Sequence, residues 1–501
     1  MKEAIRRGII VLIGVLLQFG LLIFLQLFLN EHIGLFALIY WLIPIMIVLS
    51  ILKNSTRLSN DLPWIIFIMI FPIFGGIVFL TIGRSYSKSK LLKKLIEKNN
   101  EYSKLLIQND IGNNILDEND NLRYFYNYAK WPITTKNEIS YYEMGELFYP
   151  ELLKELKKAK KFIFMEYFII NRGTMWNGIL EILKEKANEG LDVRVMYDDM
   201  GSIAMLPEHY DKELAKYNIK CISFNKLSPF KGILMNNRDH RKMTIIDGKV
   251  AFSGGVNLSD EYINIKHPYG EKWKDNGIKI VGDSIWNLTV MFLTLWNANQ
   301  EEDKDIEKYK YDFKNEKING DGYVVPFGLN PASKRNVGED VYLNIINSAK
   351  KYVYIFTPYL IIDTDMINSL IRASRRGVDI RIVVPGVPDK KMVYALTKSY
   401  FKILMDEGIK IYTYTPGFIH GKVFISDDVR SVVGTINMDY RSLYLHFENG
   451  IYLENNSEIK NIKKDFTNTF EISHLESEAD IKTNLLTVIW QSILRLFAPL
   501  M

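Results

Sequence analysis

The chain has 501 residues, with 63 Lys and Arg against 58 Asp and Glu and a formal net charge of +5. Aromatic residues at 13% and charged residues at 24% exclude a disordered tail, a collagen-like repeat and a coiled coil, and the length suits two or three domains that each bury a core. The single cysteine, Cys221, excludes a disulfide framework, a Cys-rich zinc module and an iron–sulfur site, while the small positive balance is too weak to argue for nucleic acid.

No charged residue lies between Arg7 and Glu31, and Gly8 to Leu29 is apolar apart from Gln18 and Gln26. Such a run is long enough to cross a bilayer core as a helix. A second uncharged stretch runs from Ile33 to Leu52 and a third from Leu62 to Gly83, so residues 1–84 are expected to hold two or three transmembrane helices. A cleaved signal peptide fits the first run less well, because the apolar part is too long and no small-residue cleavage site follows. In the third, Pro63, Pro72 and Gly75-Gly76 can break the helix into a re-entrant hairpin. The flanking positive charges do not choose a side: Lys2, Arg6, Arg7, Lys53 and Arg57 balance Arg84, Lys88, Lys90, Lys93 and Lys94.

Residues 85–140 read as a linker and lead-in helix, rich in Lys, Leu and Asn. From Phe148 onward, helix-period stretches alternate with short β-branched and aromatic runs, the pattern of layered α/β units. An internal repeat organises them. Ala159-Lys160-Lys161-Phe162-Ile163-Phe164 recurs as Ala349-Lys350-Lys351-Tyr352-Val353-Tyr354, a helix end feeding a buried strand. Gly190-Leu191-Asp192-Val193-Arg194-Val195 recurs as Gly377-Val378-Asp379-Ile380-Arg381-Ile382, a helix-ending glycine before the next strand, and Asn218-Ile219-Lys220 recurs as Gly408-Ile409-Lys410. The repeat predicts homologous lobes over 141–300 and 323–484, joined by a charged, Tyr-rich linker at 301–322. An amphipathic segment at 485–501 follows, with Trp490, Ile493, Leu494 and Phe497 at helical spacing, suited to packing on the lobes or the membrane.

A fourth landmark carries the chemistry. His240-Arg241-Lys242, with Asp247 after it and then Gly254, Gly255 and Asn257, is matched by His420-Gly421-Lys422, Asp427, Gly434, Thr435 and Asn437 at an offset of 180. Residues i and i+2 of a strand share a side, so each His and its Lys face one site together. The Asp falls in a turn, placed to hold the loop or to pair with a cation. Two imidazoles can act as nucleophile and general acid, two ammonium groups can hold phosphate oxygens, and two Asn amides can donate to them. No metal or cofactor is required by that scheme. A buried core His beside a surface Lys would explain one copy, but hardly two at the same spacing within a repeat.

The doubled HxKxxxxD followed by GxxN resembles the phospholipase D superfamily, and the apolar N-terminus with its Gly83-Arg84-Ser85 exit is similar to bacterial cardiolipin synthases of that superfamily. Further similar pieces are Met165-Glu166-Tyr167-Phe168, Thr357-Pro358-Tyr359, Gly434 to Ser442, Phe447-Glu448 and Arg495 to Leu500. The resemblance implies two phospholipase D-type α/β lobes packed together, preceded by N-terminal transmembrane helices, with both His residues at one interface. It implies phosphatidyl transfer between two phosphatidylglycerol molecules through a phosphohistidine-linked intermediate, with His240 as nucleophile and His420 as acid and base. The resemblance makes Glu448, which follows His420 by 28 residues, the carboxylate that orients the motif His, with Asp275 its counterpart in the first lobe. The site set is thus His240, Lys242, Asp247, His420, Lys422 and Asp427, supported by Asn257, Asn437, Glu448 and Asp275, with no metal. The implied setting is a bacterial cell membrane, crossed more than once, with cytoplasmic lobes, a phospholipid substrate and no nucleic acid; self-association is compatible with the sequence. A membrane-bound phospholipase D releasing phosphatidic acid is the rival reading, and a noncatalytic membrane scaffold a third, whose mark would be a lost motif His or Lys. All four are present.

Overall fold

The structure is a computed structural model that describes residues 20, 33–55, 58–80, 90–108, 115–116, 119–226, 237–331, 333, 336–482 and 484–500. The chain divides into two compact units, one of residues 1–93 with 493–501 and the other of residues 94–492.

Among its described residues the first unit holds the apolar helices α1 (Ile33–Asn54), α2 (Leu58–Ile70) and α3 (Pro72–Val78). Among the described residues, no helix is long and apolar enough to cross a membrane. The expected first span, Gly8 to Leu29, apart from Gly20, and the Gly83-Arg84-Ser85 exit lie outside the described residues. The expected third span is not one helix. Pro72 has no N–H to continue the ladder and instead opens α3 at its first position, after Phe71 with a non-helical backbone at φ −123° and ψ 74°. The break lets α3 fold back on α2 so closely that a Cβ at Gly75 would sit 2.8 Å from the Phe67 carbonyl oxygen. Trp41, Met46, Leu49 and Ile70 are exposed on these helices.

The second unit contains both lobes. Lobe one is a seven-stranded sheet in the order β1-β8-β6-β5-β2-β3-β4, with β1 Asn137–Tyr142, β2 Phe162–Tyr167, β3 Asp192–Asp198, β4 Lys220–Phe224, β5 Lys242–Ile246, β6 Val250–Gly254, β7 Lys272–Lys274 and β8 Gly277–Gly282; β7 stands outside it. β2, β3 and β4 run parallel, joined by helices that include α4 (Thr174–Asn188), whereas β1, β5, β6 and β8 form the antiparallel half. Lobe two repeats the plan as β19-β13-β12-β10-β15-β16-β18-β9, with β9 Tyr323–Leu329, β10 Tyr352–Phe356, β12 Asp379–Pro385, β13 Lys410–Tyr414, β15 Val423–Ser426, β16 Arg430–Gly434 and β18 Glu448–Glu454, plus an added edge strand, β19 (Ser473–Leu475). Gly190 and Gly377, at φ +91° and +88°, end the helices that precede β3 and β12.

The lead-in does not stop where expected. β1 begins at Asn137, inside the stretch read as linker, because its alternating residues pair with β8 and close the antiparallel edge. The 301–322 linker docks on the first lobe. Asp303 and Tyr309 are buried on β3, where Arg194 Nη1 donates to Asp303 Oδ2 at 2.6 Å and Nη2 to Tyr309 Oη at 2.7 Å. Helix α5 (Ile285–Asn299) is buried almost throughout, and its Asn287 amide donates to the carbonyls of Pro132 and Pro326.

Candidate active site

Both motif strands start at the carboxyl ends of the parallel strands, where open α/β sheets place their ligands. In lobe one Lys242 opens β5 opposite Tyr167, the last residue of β2. In lobe two the register carries Val423 of β15 opposite Phe356, so Lys422 stands at the same place. At the other end of each strand the motif Asp is used by the backbone. Asp247, at φ +55°, accepts from the amides of Lys160, Lys161 and Phe162 at 2.7–2.9 Å, and Asp427, at φ +56°, accepts from Lys350, Lys351 and Tyr352 at 2.8–2.9 Å. Each ties the turn after the motif strand to the start of the central strand, and neither faces the histidines.

The lobes exchange carboxylates. Two short parallel pairings cross the lobe boundary: β14 (Gly417–Ile419) with β7, and a bridge between Asp239 and Phe447. Each sets the next two residues side by side. The His420 amide donates to the Lys274 carbonyl at 2.7 Å, and His420 Nδ1 is 2.6 Å from Asp275 Oδ2. The His240 amide donates to the Phe447 carbonyl at 2.9 Å, and His240 Nδ1 is 2.9 Å from Glu448 Oε2. Glu448 therefore backs the histidine of lobe one, not His420 as its spacing suggested, and Asp275 backs that of lobe two. Gly255 admits Asp275, since a Cβ there would fall 2.0 Å from its Oδ1; the matching Thr435 instead donates its hydroxyl to Glu448 Oε2.

With both Nδ1 atoms engaged, Nε2 is the reactive nitrogen of each ring. Burial and the charge of Lys242 hold the His240 imidazole well below its usual range. Burial and Lys422 lower His420 to about 4, with Asp275 opposing them. Burial works to raise Asp275, but the facing His420 and Lys422 overcome it and keep this carboxyl low; Glu448 is pushed well up by burial, against the pull of Lys242. Burial also lowers Lys242 to about 8 and Lys422 to about 7. The Lys242 ammonium donates to the His240 carbonyl at 2.7 Å, and that of Lys422 donates to the His420 carbonyl. These are the groups that an anionic phosphate would repay, because its charge offsets their mutual repulsion.

The supporting asparagines part ways. Asn257 is committed, its Oδ1 accepting from the Ile169 amide at 3.0 Å and its Nδ2 donating to Tyr262 Oη at 2.7 Å, and Tyr262 packs on His420 with centroids 5.4 Å apart. Asn437 is 5% exposed and its carboxamide oxygen has no partner. Sequence reasoning passed over His446, two residues before Glu448, and Arg238, two before His240. The signal was there in the i, i+2 spacing, which puts each on the face of its catalytic neighbour. The His446 ring lies tilted against that of His240 with centroids 5.7 Å apart, and His240, His446 and Glu448 are close enough to share a metal ion. The nearby charges of Lys242 and Arg238 oppose a dication there.

Fold and site together define a two-lobed protein of the phospholipase D type. Residues 152–281 and 342–470 match the family model described as cardiolipin synthase, PLD-like domain, and the chain belongs to that family. It is 32% identical over 88% of its length to the cardiolipin synthase of Alkalihalophilus pseudofirmus, covering 89% of that protein. It is 33% identical over 87% of its length to a cardiolipin synthase of Clostridium perfringens, covering 93% of that protein. The phosphatidylserine synthase of Haemophilus influenzae shares the fold, with a TM-score of 0.56 and 16% identity over 76% of this chain and 98% of its own.

Proposed function

We propose that the protein is a membrane-bound phosphatidyltransferase that makes cardiolipin and glycerol from two molecules of phosphatidylglycerol. The observation that carries the reading is the pair of crossed histidine–carboxylate couples, each held through Nδ1, beside two buried lysines in one site. His240 Nε2 attacks phosphorus, the bond from phosphorus to the glycerol oxygen breaks, and His420, which takes up a proton when the negative charge of the phosphate enters the site, gives that proton to the oxygen. In the second half, His420 takes the proton from the hydroxyl of another phosphatidylglycerol, whose oxygen displaces His240 from phosphorus. Asp275, kept ionised, backs the imidazole that must gain and lose a proton, which favours this division of roles. Lys242, Lys422 and Asn437 hold the nonbridging oxygens as charge develops on them. The product follows from the names of the relatives above. The apolar N-terminal segments suit anchorage in a membrane, with the lobes on the cytoplasmic side that phospholipid synthesis calls for, and the exposed Leu485, Leu486, Ile489 and Trp490 of helix α6 (Leu485–Leu496) suit a bilayer surface.

The test is to incubate the purified protein in detergent–lipid micelles, with a chelator, with phosphatidylglycerol alone and to identify products by mass. Cardiolipin and glycerol are expected, and both vanish with His240→Ala or His420→Ala, a loss of at least about a thousandfold. Phosphatidic acid and glycerol would mean that water is the acceptor and the protein a phospholipase.

A further inference from the structure

A lipid acceptor differs from water, or from free glycerol, in carrying a phosphodiester of its own, one glycerol unit from the attacking hydroxyl. A transferase that prefers it needs a second anion site beside the reacting phosphate. The lysines of the doubled motif are taken up by the first phosphate, so the second site must be built from other groups.

The bridge between Asp239 and Phe447 builds one. In that register Arg238 lies beside His446 and His240 beside Glu448, and all four side chains share one face of the pairing, opposite Asp239 and Phe447. The His446 side chain is 10% exposed and both of its ring nitrogens are buried, yet neither has a hydrogen-bond partner. Its nearest carboxylate oxygen, Glu448 Oε1, is 3.6 Å away and is likewise unpartnered. Arg238 is 2% exposed; its Nε and Nη2 fork onto Asp198 at 2.8–3.0 Å, while Nη1 is buried without a partner. Burying a guanidinium nitrogen and a whole imidazole unpaired is costly unless a ligand completes them.

The surroundings say what charge that ligand bears. The carbonyl of Arg441 accepts from the His446 amide at 2.9 Å, and its guanidinium lies close enough to Arg238 and His446 to act on both. Lys390, in the loop after β12, lies 3.4 Å from Tyr359 Oη and 3.7 Å from Asp389 Oδ2, with its side chain 63% exposed and near enough to His446 for its charge to act on the ring. Burial and these cations keep the His446 ring neutral, so one ring nitrogen carries a proton to donate. Neutral donor, forked arginine and rim lysine together select an oxyanion.

We propose that His446, with Arg238, Arg441 and Lys390, is the subsite for the phosphodiester of the acceptor lipid and makes this protein choose a lipid alcohol over water or glycerol. The inference rests on the phosphatidyl-transfer reading and adds to it the recognition of the second substrate. The 5.7 Å between the His446 and His240 rings is a separation that one glycerol unit spans. The subsite phosphate is held there and does not react. The acceptor hydroxyl forms the new bond to phosphorus, the phosphorus–nitrogen bond to His240 breaks, and the hydroxyl proton passes to His420.

Two acceptors separate this role from a structural one. Exchange of radiolabelled glycerol into phosphatidylglycerol uses the same intermediate with an acceptor that has no phosphate, whereas cardiolipin formation uses one that does. Both rates are measured in the full-length protein in phosphatidylglycerol micelles. In His446→Ala the ratio of cardiolipin formation to exchange is expected to fall at least about tenfold, in the exposed-rim variant Lys390→Gln about threefold, and in His446→Gln, which keeps a donor, less than either. Equal loss of both rates in His446→Ala, with an unchanged ratio in Lys390→Gln, would overturn the subsite and leave His446 a packing partner of His240. Phosphatidic acid without cardiolipin from the unaltered protein would instead overturn the transfer reading and the subsite with it.

Discussion

At the scale of single residues, the site works by keeping its two buried imidazoles uncharged until substrate arrives. Neutral imidazoles are nucleophiles and proton acceptors; ammonium groups are needed for phosphate. In the free protein His420 is lowered to about 4, so it stays neutral through the physiological range, while Lys422 and Lys242, lowered to about 7 and about 8, begin to lose their charge within it. kcat/KM, which reports the free protein, should therefore fall on the alkaline side between pH 7 and 8 as the lysines deprotonate. Lys422→Arg, a cation that does not titrate there, is expected to move the alkaline limb upward even where its geometry lowers the rate. A profile flat to pH 9 in the unaltered protein would contradict the assignment of these lysines, on the values of about 7 and about 8.

At the scale of elements, the decisive pieces are two strand pairings only a few residues long, which hand each histidine to the other lobe's carboxylate. Gly255 is part of that device, because any side chain there would strike Asp275. Gly255→Ala is expected to displace Asp275 and to lower turnover about tenfold or more with the circular dichroism spectrum retained; full activity would show that Asp275 tolerates the shift. The motif strands, the helix-ending glycines and the doubled site were legible in the sequence, since strand periodicity and repeat spacing are local signals. The exchange of carboxylates was not, because spacing along one chain cannot say which of two similar lobes a residue faces. Asp275 and Glu448 were recognisable as carboxylates of the site while their partners were not. Asn257 failed differently: its amide looked free for phosphate, but a neighbouring tyrosine hydroxyl and a backbone amide claimed it. The break at Pro72 was visible as a proline and two glycines, and only packing of α3 on α2 decided that it is a fold-back.

At the scale of the whole catalytic unit, the segment between the lobes is a docked strap. Arg194, 1% exposed, is neutralised by Asp192 from its own strand and by Asp303 from the strap. Although burial acts against it, Arg194 holds the Asp303 carboxyl down to about 2, below its unfolded value of about 4. A depressed carboxyl stabilises the fold above the unfolded value and loses that contribution as pH falls toward the folded one. The window is therefore between about pH 4 and about pH 2. Asp303→Asn should lower unfolding free energy at neutral pH by about 2–4 kcal/mol, because it leaves a buried guanidinium half paired, and it should flatten the acid dependence in that window. Denaturant melts at pH 7 and pH 3 check both, with Asp303→Asn and the unaltered protein expected to draw together at the lower pH; parallel curves would exclude the strap as their cause.

The crossed couples make each lobe hostage to the other. A lobe separated from its neighbour would keep its histidine, lysine and turn aspartate, yet lack the carboxylate that fixes the imidazole, so halving the catalytic unit would not halve the activity but extinguish it. Two such halves could recover it only by finding each other in solution, at concentrations that the strap between 301 and 322 supplies for nothing. The catalytic unit is in this sense a dimer that never dissociates, free to let its two sides diverge: Gly255 in the first corresponds to Thr435 in the second, and only the second side bears a histidine two residues before its carboxylate.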